Sequence, residues 1–402
     1  MKFQKAFIPY GGYWATPFVK WQGNFASLHP LKFAADTTKR ALAARQINPA
    51  SFDAPFLGTT IPSKGSFYGA PWLAGLIGAE GITGPTFGQA CATSARVIAG
   101  AAFEVEAGGD RRILCLTADR TSNGPHLLYP NPLNPGGRGD AEEWVWDNFN
   151  PDPWARNAMI DTAENVAREE EITTEEQHEV MLMRHAQYQA ALKDGAAFHR
   201  RYMVTPIEVK DSSGRKVLAT VADDEGVSPT TAEGLNRLQP VLPGGTVTHG
   251  GQTYPADGNA GLIVTTRERA REWSRDPKIE IRIVAFGQSR ARKGFMPAAP
   301  VPAARAALHS AGIEIADAHA IKTHNPFAVN DVYFSREMGV KKEAMNNYGC
   351  SLIWGHPQGP TEMRLIEELI EKLVILGGGH GLFVGCAAGD TAAAAVVKVS
   401  EA

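Results

Sequence analysis

Four cysteines stand in the chain, and one of them, Cys91, has a setting that could make it reactive. Cys91 ends the stretch Gly84-Pro85-Thr86-Phe87-Gly88-Gln89-Ala90 and opens an alanine-rich helical run. A thiol at a helix start faces unpaired backbone N–H groups and the positive end of the macrodipole, and both favour the thiolate. The demand on such a site can be sized. A free thiol with its pKa near ~8.5 is only about 3% ionised at neutral pH, and bringing the pKa to roughly 6.5 takes about 2.7 kcal/mol. A helix terminus supplies about 0.3–1 kcal/mol, or roughly 2 where it is well placed. A nearby imidazolium must supply the rest. An unpaired cysteine is also a common small core residue, so the remainder of the chain has to decide what Cys91 does.

The other cysteines are Cys115, Cys350 and Cys386, and no two of the four form a C-x-x-C pair, which argues against a zinc site. With 402 residues, 44% hydrophobic and 21% charged, the chain can bury a large core and reads as a globular enzyme. A net charge of −3 with no long basic run gives no support to nucleic acid or an anionic membrane surface as a partner. The opening apolar run is too short for a signal peptide, and no later run has the length of a membrane span. A chain of this size needs no disulfide staples, so free thiols in a reducing cytoplasm are expected.

The elements that must position Cys91 alternate in type. Strands are expected at 5–9, 54–60, just before Cys91, and 112–118, with helices at 29–45, 68–77 and 91–106. That alternation is an α/β layered pattern. From 119 to about 251 the texture changes, with Pro- and Gly-rich loop and three tryptophans, Trp144, Trp146 and Trp154, in polar surroundings. Two helices follow there, 159–168 and 174–193, the second opened by a capping box at Thr174-Glu175-Glu176-Gln177. The tryptophans read either as walls of a pocket or as core anchors of this insertion. His126, His178, His185 and His199 read as surface residues. The scaffold then resumes with strands at 260–266, 279–286 and 393–399, an extended run at 313–319, and helices at 267–273, 301–311 and 363–372. The chain therefore divides into a first α/β half (1–119), an inserted loop domain (120–251) and a second α/β half (252–402). Each half carries a cysteine at a Gly/Ala-rich corner, which suggests an internal duplication.

Several strings now resemble one family. Met159-Ile160-Asp161-Thr162-Ala163-Glu164-Asn165-Val166-Ala167, then Ile172-Thr173-Thr174-Glu175-Glu176-Gln177, resembles M-G-x-T-A-E-x-V-A…I-S-R-E-x-Q. Gly245-Thr246-Val247-Thr248 with Asp257-Gly258 resembles G-T-V-T…D-G. Asn346-Asn347-Tyr348-Gly349-Cys350 and Gly355-His356-Pro357-Gln358-Gly359 resemble N-x-x-G-G…G-H-P-x-G, and Cys386-Ala387-Ala388-Gly389 resembles C-x-G-G. These are the strings of the thiolases, in family order. Departures stand at His324-Asn325-Pro326-Phe327, which is nearer the H-D-x-F of the sterol-carrier-protein type, at Ala388, and at Ile353-Trp354.

The resemblance implies a fold of two duplicated βαβαβαββ halves in a five-layer α-β-α-β-α core, with the inserted loop domain on the CoA-binding side. It implies an acyltransferase that cleaves a 3-oxoacyl-CoA with CoA, or runs the reverse Claisen condensation. Cys91 would be the nucleophile, His356 its base and the imidazolium beside it, and Cys386 the acid/base at Cα. His324 would meet the thioester oxygen, either donating directly or through a water. Backbone N–H groups of Cys91 and Ala388 would hold the acyl oxyanion. CoA, a co-substrate rather than a bound cofactor, would lie near Thr253, His249, Met159 and Phe327. The departures point to a bulky or aromatic acyl group, such as that of benzoylsuccinyl-CoA. The same likeness implies a homodimer or larger oligomer, and a small zinc-ribbon/OB-fold partner protein. Two other readings fit the same residues: a decarboxylating condensing enzyme of the ketosynthase type, and a non-catalytic CoA-binding subunit.

Overall fold

The computed structural model describes residues 1–401. One continuous path of hydrogen-bonded strands runs through both halves of the chain. In the first half, Ala54–Gly58 pairs in parallel with Arg112–Arg120, which pairs antiparallel with Ala256–Thr265. In the second, Ala318–His324 pairs in parallel with Gly379–Ala387, and that strand pairs antiparallel with Thr391–Glu401. Ile279–Arg290 completes the second half beside Thr391–Glu401. The short strand Phe7–Ile8 joins the two, because Phe7 pairs with Thr265 on one side and Arg282 on the other. Strands covered on both faces read as unbroken apolar runs rather than alternating ones, and every residue of Ala256–Thr265 is buried.

The helices Thr93–Ala107 and Thr361–Ile375 touch each other and strands of both halves, so they form a middle layer. Pro30–Ala44 and Gly69–Ile77 cover the outer face of the first half, and Pro300–Ala311 covers that of the second. The five-layer α-β-α-β-α arrangement is the one implied by the family resemblance. Each half also repeats one order of strand, helix, middle-layer helix and strand. Cys91 stands just before one middle-layer helix, and His356 stands a turn before the other.

The middle-layer helix Thr361–Ile375 is unusual in burying Glu362, Arg364, Glu367, Glu368 and Glu371 together. Charges in such a place must be paired or neutralised. Arg364 grips Asp224 with both terminal nitrogens, at 2.6 and 2.8 Å. Tyr202 donates to Glu368 at 2.8 Å, and Tyr13 to Glu371 at 2.7 Å. Asp224 and Tyr202 belong to the segment between the Arg112–Arg120 and Ala256–Thr265 strands, so buried charge ties that segment to the middle layer. The segment also holds the helices Met159–Glu169 and Thr174–Ala191 and two hairpins. Among the described residues no helix is long and apolar enough to cross a membrane.

Some elements differ from the sequence reading. The strand before Cys91 is only Thr86–Phe87, because the chain turns at Ala90, whose φ of 45° lies in the left-handed region. The run at 313–319 pairs only from Ala318 onward, after a short 3-10 turn. Helix Ala328–Met338 is absent from the sequence reading, since buried Asn330 and Asp331 interrupt its apolar period. Residues around Gly381 form a strand, and the corner follows it at Gly389, with φ of 78°. The capping box starts one residue earlier: Thr173 Oγ1 accepts from Glu176 N–H at 3.2 Å, and Glu176 accepts from Thr173 N–H at 3.1 Å. His178 and His199 are buried rather than on the surface.

Candidate active site

The turn that delivers Cys91 is held by its neighbours. Thr93 Oγ1 accepts from Gln89 N–H at 2.8 Å and donates to Ala90 O at 2.7 Å. The helix proper begins at Thr93, two residues later than expected, which leaves Cys91 on the turn itself. Its sulfur is almost wholly enclosed and lies 3.2 Å from His356 Nε2. The backbone N–H groups of Ala388 and of Cys91 lie on the side of that sulfur where they favour its thiolate.

The hydrogen-bond network assigns the proton on each imidazole. Thr361 Oγ1 has one hydrogen, which it donates to Pro357 O at 2.6 Å. It must therefore accept from His356 Nδ1–H, 2.7 Å away, which leaves Nε2 as a bare lone pair facing the thiol. His324 repeats the pattern. Asn325 donates its amide to Asp331 at 2.8 Å, so its oxygen accepts the Ser351 hydroxyl at 3.3 Å. Ser351 Oγ then accepts from His324 Nδ1–H at 3.0 Å, and His324 Nε2 is a buried lone pair with no protein donor. The two rings lie 4.2 Å apart at 34°. A neutral His324 of this tautomer accepts a hydrogen bond at Nε2, which favours the water-mediated alternative over direct donation to a thioester oxygen.

Cys386 sits at the end of its strand, with Asn330 Nδ2 donating to its sulfur at 3.3 Å and His324 O 3.9 Å away. Asp119 braces the His356 corner by accepting from Gly359 N–H at 2.6 Å while also holding Thr60. Arg184, from helix Thr174–Ala191, meets Asp331 at 2.8 Å with both side chains fully buried. Through Asp331 it steadies Thr323, Asn325 and Asn346 around His324.

The family profiles for the thiolase N-terminal domain and the thiolase C-terminal domain match residues 13–268 and 277–399. The chain belongs to the thiolase family. Human mitochondrial 3-ketoacyl-CoA thiolase is 27% identical over 397 residues, covering 95% of this chain and 96% of its own. The β-ketoadipyl-CoA thiolase of Pseudomonas putida is 29% identical over 324 residues, 78% of each chain. The crystal structure of the Bacillus anthracis acetyl-CoA acetyltransferase superposes with a TM-score of 0.89 at 26% identity, covering 99% of both chains. This thiolase is an acyltransferase, and its chemistry is CoA-dependent cleavage or Claisen condensation of acyl-CoAs.

Burial in this thiolase works against the charged pair expected from the sequence. Burial is the largest cause pushing the Cys91 thiol up to about 12, and burial pushes His356 down to about 3. Both shifts favour a neutral thiol beside a neutral imidazole over a thiolate held by imidazolium. Burial, and then the adjacent His356, also hold His324 well below its ordinary range, while burial is the largest cause holding Cys386 well above its own.

A cleft of about 680 Å³ opens from Cys91 and Ala388 and is lined by Met159, Trp144 and Trp154. Trp144 is fixed there by its indole N–H on Thr60 O at 3.0 Å. Trp146 does not line the cleft and packs on Trp21 instead. Thr253 is a brace rather than a free contact, its N–H on Pro326 O at 2.8 Å and its hydroxyl on Ser351 O at 2.6 Å. Phe327 is buried and bridges Gln252, and His249 is exposed on a short turn outside the cleft. Sequence reading missed Thr361, Ser351, Asn330 and Glu362. Thr361 alone had a legible signal, its place where the helix starts just after the Gly-His-Pro corner.

Proposed function

We propose that this thiolase cleaves a 3-oxoacyl-CoA through an acyl-Cys91 intermediate, and that its acyl group is bulky or aromatic, as in benzoylsuccinyl-CoA. The contact between Cys91 Sγ and the bare Nε2 of His356, at 3.2 Å, carries the mechanistic reading. As the sulfur bonds to the ketone carbon, its proton passes to His356 Nε2, so charge forms only when the oxyanion is there to balance it. Backbone N–H groups of Cys91 and Ala388 receive that oxyanion. The C–C bond then breaks, and Cys386 gives its proton to the departing enolate carbon. Incoming CoA loses its thiol proton to the Cys386 thiolate and takes the acyl group. Cys91 leaves as thiolate and recovers its proton from His356. Every proton is returned, and Cys386 is required, which sets this reading apart from a decarboxylating condensation.

His356, protonated at Nε2 in mid-cycle, and a water accepted by His324 serve the thioester oxygen. CoA runs past Met159, with Thr253 and Phe327 bracing the loops behind its course and His249 on the turn outside the cleft, on the side of an inserted domain at 120–251 between halves at 1–119 and 252–402. Support for a bulky acyl group comes from Trp144 and Trp154 on the cleft beside Cys91. Exposed Phe67, Leu128 and Leu133 support a dimer or larger oligomer, while a small zinc-ribbon/OB-fold partner and a cytoplasmic location rest on the family likeness alone. The test is CoA-dependent cleavage across short, long and aromatic 3-oxoacyl-CoA esters, with Cys91→Ala as control. Turnover of short esters only would end the bulky-substrate reading. Turnover surviving in the control would end the acyl-cysteine reading.

A further inference from the structure

Counting C-x-x-C pairs cannot see ligands brought together from distant corners. Cys91 Sγ and one ring nitrogen each of His324 and His356 all lie within 4.8 Å of one another, His356 Nε2 being 3.2 Å from the sulfur, and all three residues are buried. The network described above leaves both Nε2 atoms as lone pairs, because each Nδ1–H is committed to a hydroxyl, of Ser351 or Thr361. Metal-binding histidines have this arrangement: the far ring N–H is held by an outer partner, which fixes the tautomer and aims the near nitrogen at the ion. His324 Nε2 has no protein partner at all, although it is fully enclosed. Two imidazoles and one thiol, with a cleft on the fourth side, match the donor set and open position of a three-ligand zinc site.

We propose that Cys91, His324 and His356 form a site for a divalent ion of zinc's chemistry, and that its occupation reversibly blocks the thiolase. On binding, the Cys91 S–H bond breaks, its proton goes to solvent, and the sulfur and the two Nε2 lone pairs bond to the ion. No electron changes hands. The open position faces the cleft, so the site fills from the substrate side, and the nucleophile and its base are then both engaged.

The test uses the full-length protein, freed of metal by a chelator and titrated with Zn²⁺ in a buffer of competing chelator. The readouts are bound zinc per chain and the rate at which iodoacetamide modifies Cys91, read by peptide mass. One ion per chain is expected, with Cys91 protected and the protection lifted by EDTA. His324→Ala and Cys91→Ser should each weaken binding by more than about 100-fold, beyond the roughly 10–100-fold cost of losing an outer hydrogen-bond partner. Ser351→Ala should fall within that smaller range, which keeps the test informative if His324→Ala folds poorly. Zinc that binds His324→Ala and Ser351→Ala as tightly as the parent, or that leaves Cys91 open to alkylation, would overturn the proposal. So would equal loss in Cys386→Ser and Cys91→Ser. None of these readouts needs a substrate, so they stand apart from any failure of the acyl-group assignment.

Discussion

Asn330 donates its side-chain amide to the sulfur of Cys386 at 3.3 Å, on a helix that begins only two residues earlier. A donor to sulfur favours the thiolate, and it is the side-chain group that opposes burial there. A hydrogen bond to a charged group contributes about 1.5–3 kcal/mol. Asn330→Ala should therefore slow exchange of the Cα protons of acetyl-CoA with deuterated water by roughly 10–100-fold. Transfer of an acyl group from a thioester to Cys91 should stay near the parental rate, since that step does not use Cys386. Equal loss in both partial reactions would mean that Asn330 only holds the fold.

Thr361 sets which nitrogen of His356 meets the thiol. Thr361→Val keeps the shape and removes the acceptor for Nδ1–H, so the ring can place its hydrogen on Nε2 instead. The expected result is a fall in kcat of about 10–100-fold with KM little changed, the size of a lost hydrogen bond to a group that becomes charged. Thr361→Ser should restore most of the rate.

The neutral resting pair has a spectroscopic signature. Thiolate absorbs in the ultraviolet where thiol does not, and the difference between the parent and Cys91→Ser should show no titration step between about pH 5 and 9. A step near pH 6–7 would mean a resting ion pair, and would revive the reading in which imidazolium lowers the thiol.

His324 and His356 are buried neutral, with folded-state values below the ordinary one. Between the folded values and about 6.5 the unfolded chain binds protons that the folded chain refuses, so stability falls as pH drops below about 6.5. Glu362 has the opposite sign. It is fully buried, accepts only Ala95 N–H at 3.3 Å, and burial raises it well above the ordinary range. Above about pH 4.5 the unfolded chain releases a proton that the folded chain keeps, and this favours unfolding increasingly up to the folded value. Glu362→Gln abolishes that liability, so its melting temperature relative to the parent should climb as pH rises from about 4.5 toward the folded value, by an amount equivalent to at most about 1.4 kcal/mol for each pH unit. A constant difference would show that Glu362 is not held uncharged.

The layers were legible because the apolar strands and alanine-rich helices are buried on every side, and burial of that kind writes itself into composition. Cys91, His356 and Cys386 were legible as motif residues at Gly- and Pro-marked corners. What the chain did not disclose were groups whose meaning depends on a partner far away. Asn330 and Asp331 look like helix-breaking polar residues until Cys386 and Arg184 are seen beside them. The ionisation of Cys91 was misread for the same reason: a helix start is a local feature, whereas burial by residues near 359–362 and 386–388 is not.

The pairing of Phe7 with both Thr265 and Arg282 has a consequence for the order in which the enzyme is made. The strand Phe7–Ile8 gains its first sheet neighbour only when residue 265 has left the ribosome, and its second only after residue 282. The two halves cannot be stitched edge to edge before then, and the reactive corner at Cys91 stays without its base until residue 356 follows. Contacts of such long sequence separation form slowly. Maturation of the catalytic centre therefore waits on the second half, and a chain stalled before residue 356 would carry an unprotected thiol that nothing yet encloses.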